Sequence, residues 1–468
     1  MRKTKIVCTI GPASETPEMI EAMIINGMNV ARLNFSHGTR DDHEEKIKII
    51  RDISAKLDMP VAILLDLPGP KIRIGSIPDP GVELEPGQDF ILTSRNMEGN
   101  KEMVSVSYPD LSAAVGTGDT ILLADGLIEM KVVRTSTSDI YCTVITGGLL
   151  TSRKGINLPM GTINTPFLTD RDKQGLLLGL SHEVDYIALS FVRTAEDIKT
   201  VKNIIKEKGA DIPVIAKIEK HEALEHLEDI IALSDGIMVA RGDLGVDIPL
   251  EEVPLVQKKL IRQANAHGKT VITATQMLRS MVNSPRPTRA EAADVANAVL
   301  DGTDAVMLSE ETAVGSYPLE ALKVMDRLAV NAETGFPYET VLRSIPKKDI
   351  SESVAHASCI LADHLDSRAI VAHTRSGLTA RHISRFRPRQ PIIALSSNVR
   401  TLRRMTLFWG CVPRLIREQR DTDDVIENTA QAILKMGDAS AGDTIVVAMG
   451  HPINASGTTT NMLRVKKL

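Results

Sequence analysis

Strand-like and helix-like segments alternate along most of this chain, and this alternation restricts the possible folds more than any other feature. Eight short runs rich in branched apolar residues alternate with segments of helical period. Repeated β-α units build parallel sheets, and eight of them suffice to close a (β/α)8 TIM barrel. The predicted strands span residues 5–11, 29–36, 61–67, 186–192, 213–219, 236–243, 270–275 and 305–309.

Two regions depart from this rhythm. Between the third and fourth predicted strands, turns and short alternating strands replace the helices, which indicates a small all-β insertion. After a stretch rich in Gly, Pro and charge at 334–353, strands and helices resume in what we predict to be a separate open α/β domain. We therefore expect a discontinuous barrel at 1–69 and 160–340, the insertion at 70–159 and a C-terminal domain at 350–468.

Composition excludes several classes of protein. The 468 residues are 43% hydrophobic and 25% charged, with a formal charge of -5, which gives no reason to expect a nucleic-acid or membrane partner. The four cysteines form no C-x-x-C pair, which favours a reducing compartment. The first residues run directly into a strand-like segment, and no stretch of eighteen apolar residues follows. We expect a cytoplasmic protein.

Polar residues cluster where the predicted barrel strands end. Chemistry in β/α barrels collects at the C-terminal ends of the strands, so these side chains are expected to meet at one rim. A single charged residue at a strand end most often only meets solvent, but several strands supplying one are harder to explain by solvation. The candidates are Arg32, Asn34, Ser36, Asp66, Lys217, Glu219, Gly242, Asp243 and Thr275.

This set contains the groups that phosphoryl transfer needs. Glu219 and Asp243 offer carboxylate oxygens, the ligands that Mg²⁺ or Mn²⁺ prefers. Lys217 and Arg32 would place fixed positive charge where a transferring phosphoryl group spreads negative charge. Thr275 is a candidate anchor for the same ligand.

Longer runs carry a family resemblance. The segments KIVCTIGP, NVARLNFSHG, VIAKIEKHEAL, SDGIMVARGDLGVDIP and KGINLP resemble the pyruvate kinase family, as does the uninterrupted run from Ile272 to Ser309. The resemblance implies transfer of the phosphoryl group of phosphoenolpyruvate to ADP, giving pyruvate and ATP in the final step of glycolysis. Homotetramers are usual in this family.

The resemblance also implies residue roles. Arg32, Lys217, Gly242, Asp243 and Thr275 would contact phosphoenolpyruvate, with Lys217, Arg32 and Thr275 acting in catalysis and Glu219 and Asp243 binding Mg²⁺ or Mn²⁺. Contacts to the nucleotide would come from Asn34, Phe35, Ser36, His37, Arg73 and Lys154. The insertion would act as a lid that closes over the metal-nucleotide complex.

One segment departs from the family pattern. Many members need K⁺, held at positions matching Asn34, Ser36, Asp66 and the carbonyl of Leu67, within a segment that reads Asp-Thr-Lys-Gly-Pro-Glu. Here the segment reads Asp-Leu-Pro-Gly-Pro-Lys and ends at Lys71. We expect the Lys71 ammonium to lie beside Asp66 and to replace K⁺, so that K⁺ is not required. The alternative is an exposed lysine without a role.

The C-terminal domain contains two hydroxyl-rich turns, and such a turn at a helix start binds phosphate through its amides and the helix dipole. Ordinary helix capping explains either turn alone. Together with the resemblance to a regulatory domain, they predict a phosphorylated effector, either a sugar phosphate or AMP. The residues are Thr374, Arg375, Ser376, Gly377 and Thr379 in the first turn and Ser456, Gly457 and Thr458 in the second.

Two other functions compete with the kinase. A different enzyme of a phosphoenolpyruvate- or pyruvate-binding barrel could use the Glu219 and Asp243 pair to stabilise an enolate, but it would not need Arg73, Lys154 or a lid. A non-catalytic sensor of phosphometabolites is the third possibility. The presence of Lys217 with both carboxylates argues against a sensor.

Overall fold

The barrel begins with three strands and two helices. The computed structural model describes residues 1–159, 161, 166–345, 349–417, 422–451 and 459–468. Capping boxes start several barrel helices, as at Thr39, whose hydroxyl accepts from the N–H of Asp42 while the Asp42 carboxylate accepts from the N–H of Thr39. The first elements are β1 (Lys5–Thr9), α1 (Pro17–Ile25), β2 (Val30–Asn34), α2 (Arg40–Lys56) and β3 (Ala62–Leu67).

An all-β insertion follows β3. Its six-stranded sheet has the order β11-β7-β8-β9-β5-β6, and β10 pairs with β4 beside it. The insertion has a hydrophobic core of its own, centred on buried residues such as Phe90 and Met130. Its elements are β4 (Val82–Leu84), β5 (Asp89–Thr93), β6 (Met103–Ser105), α3 (Leu111–Ala114), β7 (Thr120–Leu123), β8 (Ile128–Thr135), β9 (Asp139–Thr146), β10 (Gly148–Leu150) and β11 (Ile156–Asn157).

Five further strands close the barrel. All neighbours are parallel, in the order β1-β16-β15-β14-β13-β12-β3-β2, which confirms the predicted (β/α)8 barrel. The elements are α4 (Asp170–Ser181), β12 (Tyr186–Leu189), α5 (Ala195–Glu207), β13 (Val214–Ile218), α6 (His221–Glu225), α7 (Leu227–Leu233), β14 (Gly236–Ala240), α8 (Arg241–Asp247), α9 (Val253–Ala266), β15 (Thr270–Ala274), α10 (Arg289–Leu300), β16 (Ala305–Leu308), α11 (Glu310–Ala313) and α12 (Pro318–Glu333).

The C-terminal part of the chain forms an open α/β sheet. Its strand order is β19-β18-β17-β20-β21, with β21 antiparallel and the others parallel. The elements are α13 (Tyr338–Ser344), α14 (Ile350–His364), β17 (Ala369–His373), α15 (Leu378–Arg385), β18 (Ile392–Ser396), α16 (Val399–Met405), β19 (Cys411–Leu415), α17 (Thr422–Met436), β20 (Thr444–Gly450) and β21 (Thr460–Lys467).

The C-terminal sheet and its helices pack under the barrel, at the end where the strands begin. Leu407 joins the hydrophobic cluster of the barrel interior. The buried Arg387 guanidinium lies 2.8 Å from Asp304, and Arg403 lies 2.9 Å from Asp185, both at the start of barrel strands. The opposite rim, where the strands end, faces the insertion. Among the described residues, no helix is both long and apolar enough to cross a membrane.

Candidate active site

A polar cleft of about 300 Å³ opens where the barrel strands end. Its walls come from the barrel rim and from the insertion, so side chains distant in sequence meet there. The lining residues include Arg32, Asn34, Ser36, His37, Lys71, Arg73, Asp125, Ser190, Lys217, Glu219, Gly242, Asp243, Thr275, Gln276 and Arg279. The strand ends that sequence periodicity predicts to converge therefore do converge.

Lys217, near the end of β13, lies at the centre of the charged cluster. Its Nζ is 2.9 Å from Oε1 of Glu219, 3.2 Å from Oδ1 of Asp66 and 2.6 Å from Oγ of Ser190. Only 10% of the side chain is exposed, whereas both carboxylates are 1% exposed. Burial disfavours the ammonium, but Asp66 and Glu219 outweigh burial and raise the pKa of Lys217 above its ordinary value. The lysine thus keeps its charge inside the cleft.

Arg32 and Asp66 form a second buried pair beside Lys217. The Arg32 Nε donates to Oδ2 of Asp66 at 2.7 Å, and Nη1 donates to the Thr9 hydroxyl at 2.9 Å. Burial opposes ionisation of Asp66, yet Lys217 and Arg32 hold the pKa of its carboxyl below its usual range. Asp66 therefore carries a negative charge that two cations share.

Lys71 lies at a different carboxylate from the one that the sequence suggested. Its Nζ is 2.9 Å from Oδ1 of Asp243 and 3.5 Å from Oδ1 of Asp125 in the insertion. The expected position beside Asp66 is wrong, because the oxygens of Asp66 receive Arg32 and Lys217. The chain turns at Gly69, whose φ is +67°, and this turn directs Lys71 across the cleft.

Glu219 and Asp243 are the carboxylates whose donor chemistry suits a divalent cation. Burial raises the pKa of Glu219, and the neighbouring Asp243 carboxylate adds to this rise. Burial also opposes ionisation of Asp243, but Lys71 and Lys217 outweigh burial and lower the pKa of Asp243. Two carboxylates that repel each other in a polar cleft fit a hard cation with oxygen ligands, because the cation relieves the repulsion.

Gly242 and Thr275 meet at the rim in an unusual backbone geometry. The N–H of Gly242 donates to the Thr275 hydroxyl at 2.7 Å. Thr275 has φ of +69°, a conformation that is costly for a β-branched residue and concentrates at functional sites. A Cβ on Gly242 would lie 3.3 Å from the Thr275 hydroxyl, so glycine permits this approach.

The residues predicted to contact nucleotide fall into two groups. Asn34, Ser36, His37 and Arg73 line the cleft. Phe35 is instead 5% exposed, and its ring stacks against His43 within the barrel wall, because it lies on the opposite face of the chain. Lys154 is exposed on the insertion, where its carbonyl accepts from Ile74, one residue from Arg73. The Leu67 carbonyl accepts from Ser190 at 2.7 Å.

Sequence reasoning missed several residues of the cleft. Ser190 directly follows β12 and touches Lys217, a position that the strand-end rule could have identified. The N–H of Phe191 donates to Oε2 of Glu219 at 2.7 Å, but a backbone donor leaves no signal in the sequence. Asp125 comes from a turn of the insertion whose approach to the rim only the tertiary structure reveals.

The first hydroxyl-rich turn lies between β17 and α15. The Thr374 hydroxyl accepts from the N–H of Gly377 at 3.0 Å, and the Thr379 hydroxyl is buried 2.8 Å from that of Thr460. Arg375 and Ser376 are exposed at the tip of the turn. The predicted residues of the second turn, Ser456, Gly457 and Thr458, lie outside the described residues.

Comparisons with known proteins show that two domain models of one family match this chain. Residues 1–322 match "Pyruvate kinase, barrel domain" and residues 352–466 match "Pyruvate kinase, alpha/beta domain". Pyruvate kinases of Staphylococcus aureus strains MRSA252 and USA300 are each 47% identical over 471 residues, covering 99% of this chain and 80% of theirs. The crystal structure of a pyruvate kinase from Cryptosporidium parvum superposes with a TM-score of 0.92 at 37% identity, covering 100% of this chain and 96% of the other.

Proposed function

This chain belongs to the pyruvate kinase family, and we propose that its barrel rim carries out the family reaction with Mg²⁺ and without K⁺. The enzyme transfers the phosphoryl group of phosphoenolpyruvate to ADP and forms pyruvate and ATP. The observation that carries the assignment of residues is the contact of Lys217 with Glu219 and Asp66 inside the cleft.

Lys217 and Arg32 stabilise the migrating phosphoryl group. Phosphoryl transfer spreads negative charge over the equatorial oxygens, so fixed cations near them lower the barrier. The carboxylates of Asp66 and Glu219 hold the Lys217 ammonium in place and keep it charged. Because that charge is positioned before the substrate binds, little reorganisation is needed during the reaction.

Glu219 and Asp243 hold the divalent metal, and the family as a whole depends on such an ion. When bound, Mg²⁺ supplies Lewis-acid stabilisation of phosphoryl and enolate oxygens. The Phe191 N–H donates to one oxygen of Glu219 and so fixes the orientation of this carboxylate. The lysines near the carboxylates balance part of their charge in the free protein.

Gly242 and Thr275 orient the carboxylate of phosphoenolpyruvate. The Gly242 N–H is the donor to this carboxylate. In the free protein the same N–H donates to the Thr275 hydroxyl oxygen. A substrate carboxylate would take over this acceptor role and release the hydroxyl. The strained φ of Thr275 keeps its hydroxyl at the rim, close to where the enolate needs a proton relay.

Lys71 supplies the monovalent charge that other family members take from K⁺. Burial lowers its pKa, but Asp243 outweighs burial, so the pKa of Lys71 rises above its ordinary value and the ammonium stays charged. The positions Asn34, Ser36, Asp66 and Leu67 then need no ion. At Asp66 the neighbouring positive charges are those of Arg32 and Lys217.

The insertion acts as the lid over the nucleotide. Arg73 and Lys154 are the cations that the lid presents to the nucleotide, and Asn34, Ser36 and His37 contribute from the rim below. Phe35 supports this segment from within the wall, where its N–H donates to the Asp66 carbonyl. Closure of the lid excludes water from the phosphoryl group, which prevents hydrolysis.

The C-terminal domain is regulatory in this proposal. A phosphorylated effector, a sugar phosphate or AMP, binds the turn from Thr374 to Thr379, with Arg375 and Ser376 exposed to receive it. The sequence prediction adds Ser456, Gly457 and Thr458 to the residues that bind this effector. The enzyme is a cytoplasmic homotetramer.

A coupled assay tests the reaction and its metal. Pyruvate formation from phosphoenolpyruvate should require both ADP and Mg²⁺, and Glu219→Gln should raise the Mg²⁺ concentration needed for half-maximal activity. Pyruvate released without ADP would favour another phosphoenolpyruvate enzyme, and no turnover would favour a sensor. An unchanged Mg²⁺ requirement in Glu219→Gln would reject the metal assignment.

A further inference from the structure

Asp247 is a fully buried carboxylate one helical turn beyond Asp243. It ends α8, and its side chain is 0% exposed. Its Oδ1 accepts from Nζ of Lys220 at 2.6 Å, and its Oδ2 accepts from the backbone N–H of His221 at 2.6 Å and from Nδ1 of His221 at 2.9 Å. Both oxygens of Asp247 are therefore engaged with one segment, the residues that directly follow Glu219.

The Asp247 carboxylate caps the N-terminus of α6. Lys220 is the N-cap residue of that helix, and its side chain makes no capping hydrogen bond, since an ammonium offers no acceptor. Asp247 supplies the missing acceptor from another helix. A carboxylate at a helix N-terminus gains both the hydrogen bond and the attraction of the helix dipole.

The contacts join the two segments that carry the candidate metal ligands. Glu219 lies one residue before Lys220, and Asp243 lies four residues before Asp247 on the same helix. A rigid helical turn thus connects Asp243 to Asp247, and three hydrogen bonds connect Asp247 to the segment of Glu219. The separation of the two ligand carboxylates depends on this connection.

We propose that Asp247 is a positioning residue that sets the relative geometry of Glu219 and Asp243 and so determines the affinity of the divalent cation. The inference rests on the proposed assignment of Glu219 and Asp243 as metal ligands. Partners that orient metal ligands, without touching the metal, typically contribute about 10- to 100-fold to metal affinity.

The same cluster does not need an ion of its own. His221, Glu222 and Asp247 each present one ligand atom within 4.8 Å of the others. The Lys220 ammonium, however, already lies against Asp247 and supplies the positive charge there. The role of the cluster is therefore to hold two segments together.

Binding of Mn²⁺ alone to the full-length protein, measured by the electron paramagnetic resonance of free Mn²⁺, tests the proposal without turnover. We expect Asp247→Asn to raise the Mn²⁺ dissociation constant by about tenfold or more. The Mn²⁺ activation constant should rise in parallel, while kcat at saturating Mn²⁺ falls by a smaller factor. Lys220→Met removes one of the three contacts, so it should raise the Mn²⁺ dissociation constant by less than Asp247→Asn does.

Asp185→Asn is the matched control. Asp185 is also 0% exposed and accepts from Arg51, Arg403 and the N–H of Ile63, but it lies at the opposite end of the barrel. We expect this control to lower the melting temperature and to leave the Mn²⁺ dissociation constant unchanged. If Asp247→Asn does not fold, Lys220→Met decides the question by the same measurement.

The outcomes separate the two proposals. The positioning role is overturned if Asp247→Asn binds Mn²⁺ with the wild-type dissociation constant. If Asp247→Asn does not fold, the same result in Lys220→Met overturns it. A drop from two bound ions to one, with unchanged affinity of the remaining ion, overturns it as well and makes the cluster a metal site. Unchanged Mn²⁺ binding in Glu219→Gln would instead reject the ligand pair itself.

Discussion

The Nζ of Lys71 lies 2.9 Å from Oδ1 of Asp243, so the lysine touches a candidate ligand of the divalent metal. The same ammonium is 3.5 Å from Asp125 of the lid, and a Cβ on Gly155 of the lid would meet Cε of Lys71 at 2.8 Å. Lys71 therefore touches both the rim and the lid. A lysine in this position links the charge of the metal site to the placement of the lid.

Replacing Lys217 should impair the chemical step far more than the buried control variant below does. Lys217→Met keeps most of the side-chain volume and removes the charge that faces the phosphoryl group, so we expect kcat/KM to fall by about a hundredfold or more. Steady-state kinetics with both substrates check this. Lys5→Met is the control, because Lys5 is also buried but donates to the Cys411 carbonyl at the other end of the barrel. A control loss as large as that of Lys217→Met would contradict the assignment.

Arg73 should contribute to the binding of ADP and not to the binding of phosphoenolpyruvate. A charge-assisted contact to phosphate contributes roughly 1.5–3 kcal/mol, so Arg73→Ala should raise the KM for ADP by about tenfold or more and leave that for phosphoenolpyruvate nearly unchanged. Arg134→Ala removes another exposed cation of the lid, one that stacks on Tyr141, and should change neither constant. Equal increases in both KM values for Arg73→Ala would argue against a nucleotide contact.

The effector site predicts ligand-dependent stabilisation. In a thermal-shift screen of sugar phosphates and AMP, one compound should raise the melting temperature, because a ligand that binds only the folded state stabilises it. The combined variant Arg375→Ala with Ser376→Ala should abolish the shift, since both side chains are exposed at the turn. Lys435→Ala, an exposed cation elsewhere in the same domain, should keep it. A flat screen would count against the site.

Periodicity predicted the barrel well because its strands are short and apolar and most of them are followed directly by a helix. The predicted strand at residues 186–192, for example, corresponds to β12 at Tyr186–Leu189. The sequence signal of β19 is weaker because Pro413 interrupts it, yet β19 lies at the edge of the sheet, where proline is tolerated.

The site was only partly predictable for a physical reason. Residues at strand ends converge because the fold brings them together, but the partner of Lys71 depends on the turn at Gly69 and on how closely the lid approaches. The resemblance to the family's K⁺ segment suggested Asp66, five positions away, whereas the structure brings Lys71 to Asp243, which is 172 positions away. Contacts such as Asp247 with Lys220 likewise join helices that local patterns treat separately.

The potassium requirement tests the central claim that Lys71 supplies the monovalent charge of this active site. The measurement is pyruvate formation in K⁺-free tetramethylammonium buffer, with KCl added at constant ionic strength. We predict that KCl changes the activity of the wild-type enzyme by less than about tenfold, which corresponds to about 1.4 kcal/mol. Lys71→Glu should become strongly activated by KCl. A larger activation of the wild-type enzyme would contradict the account.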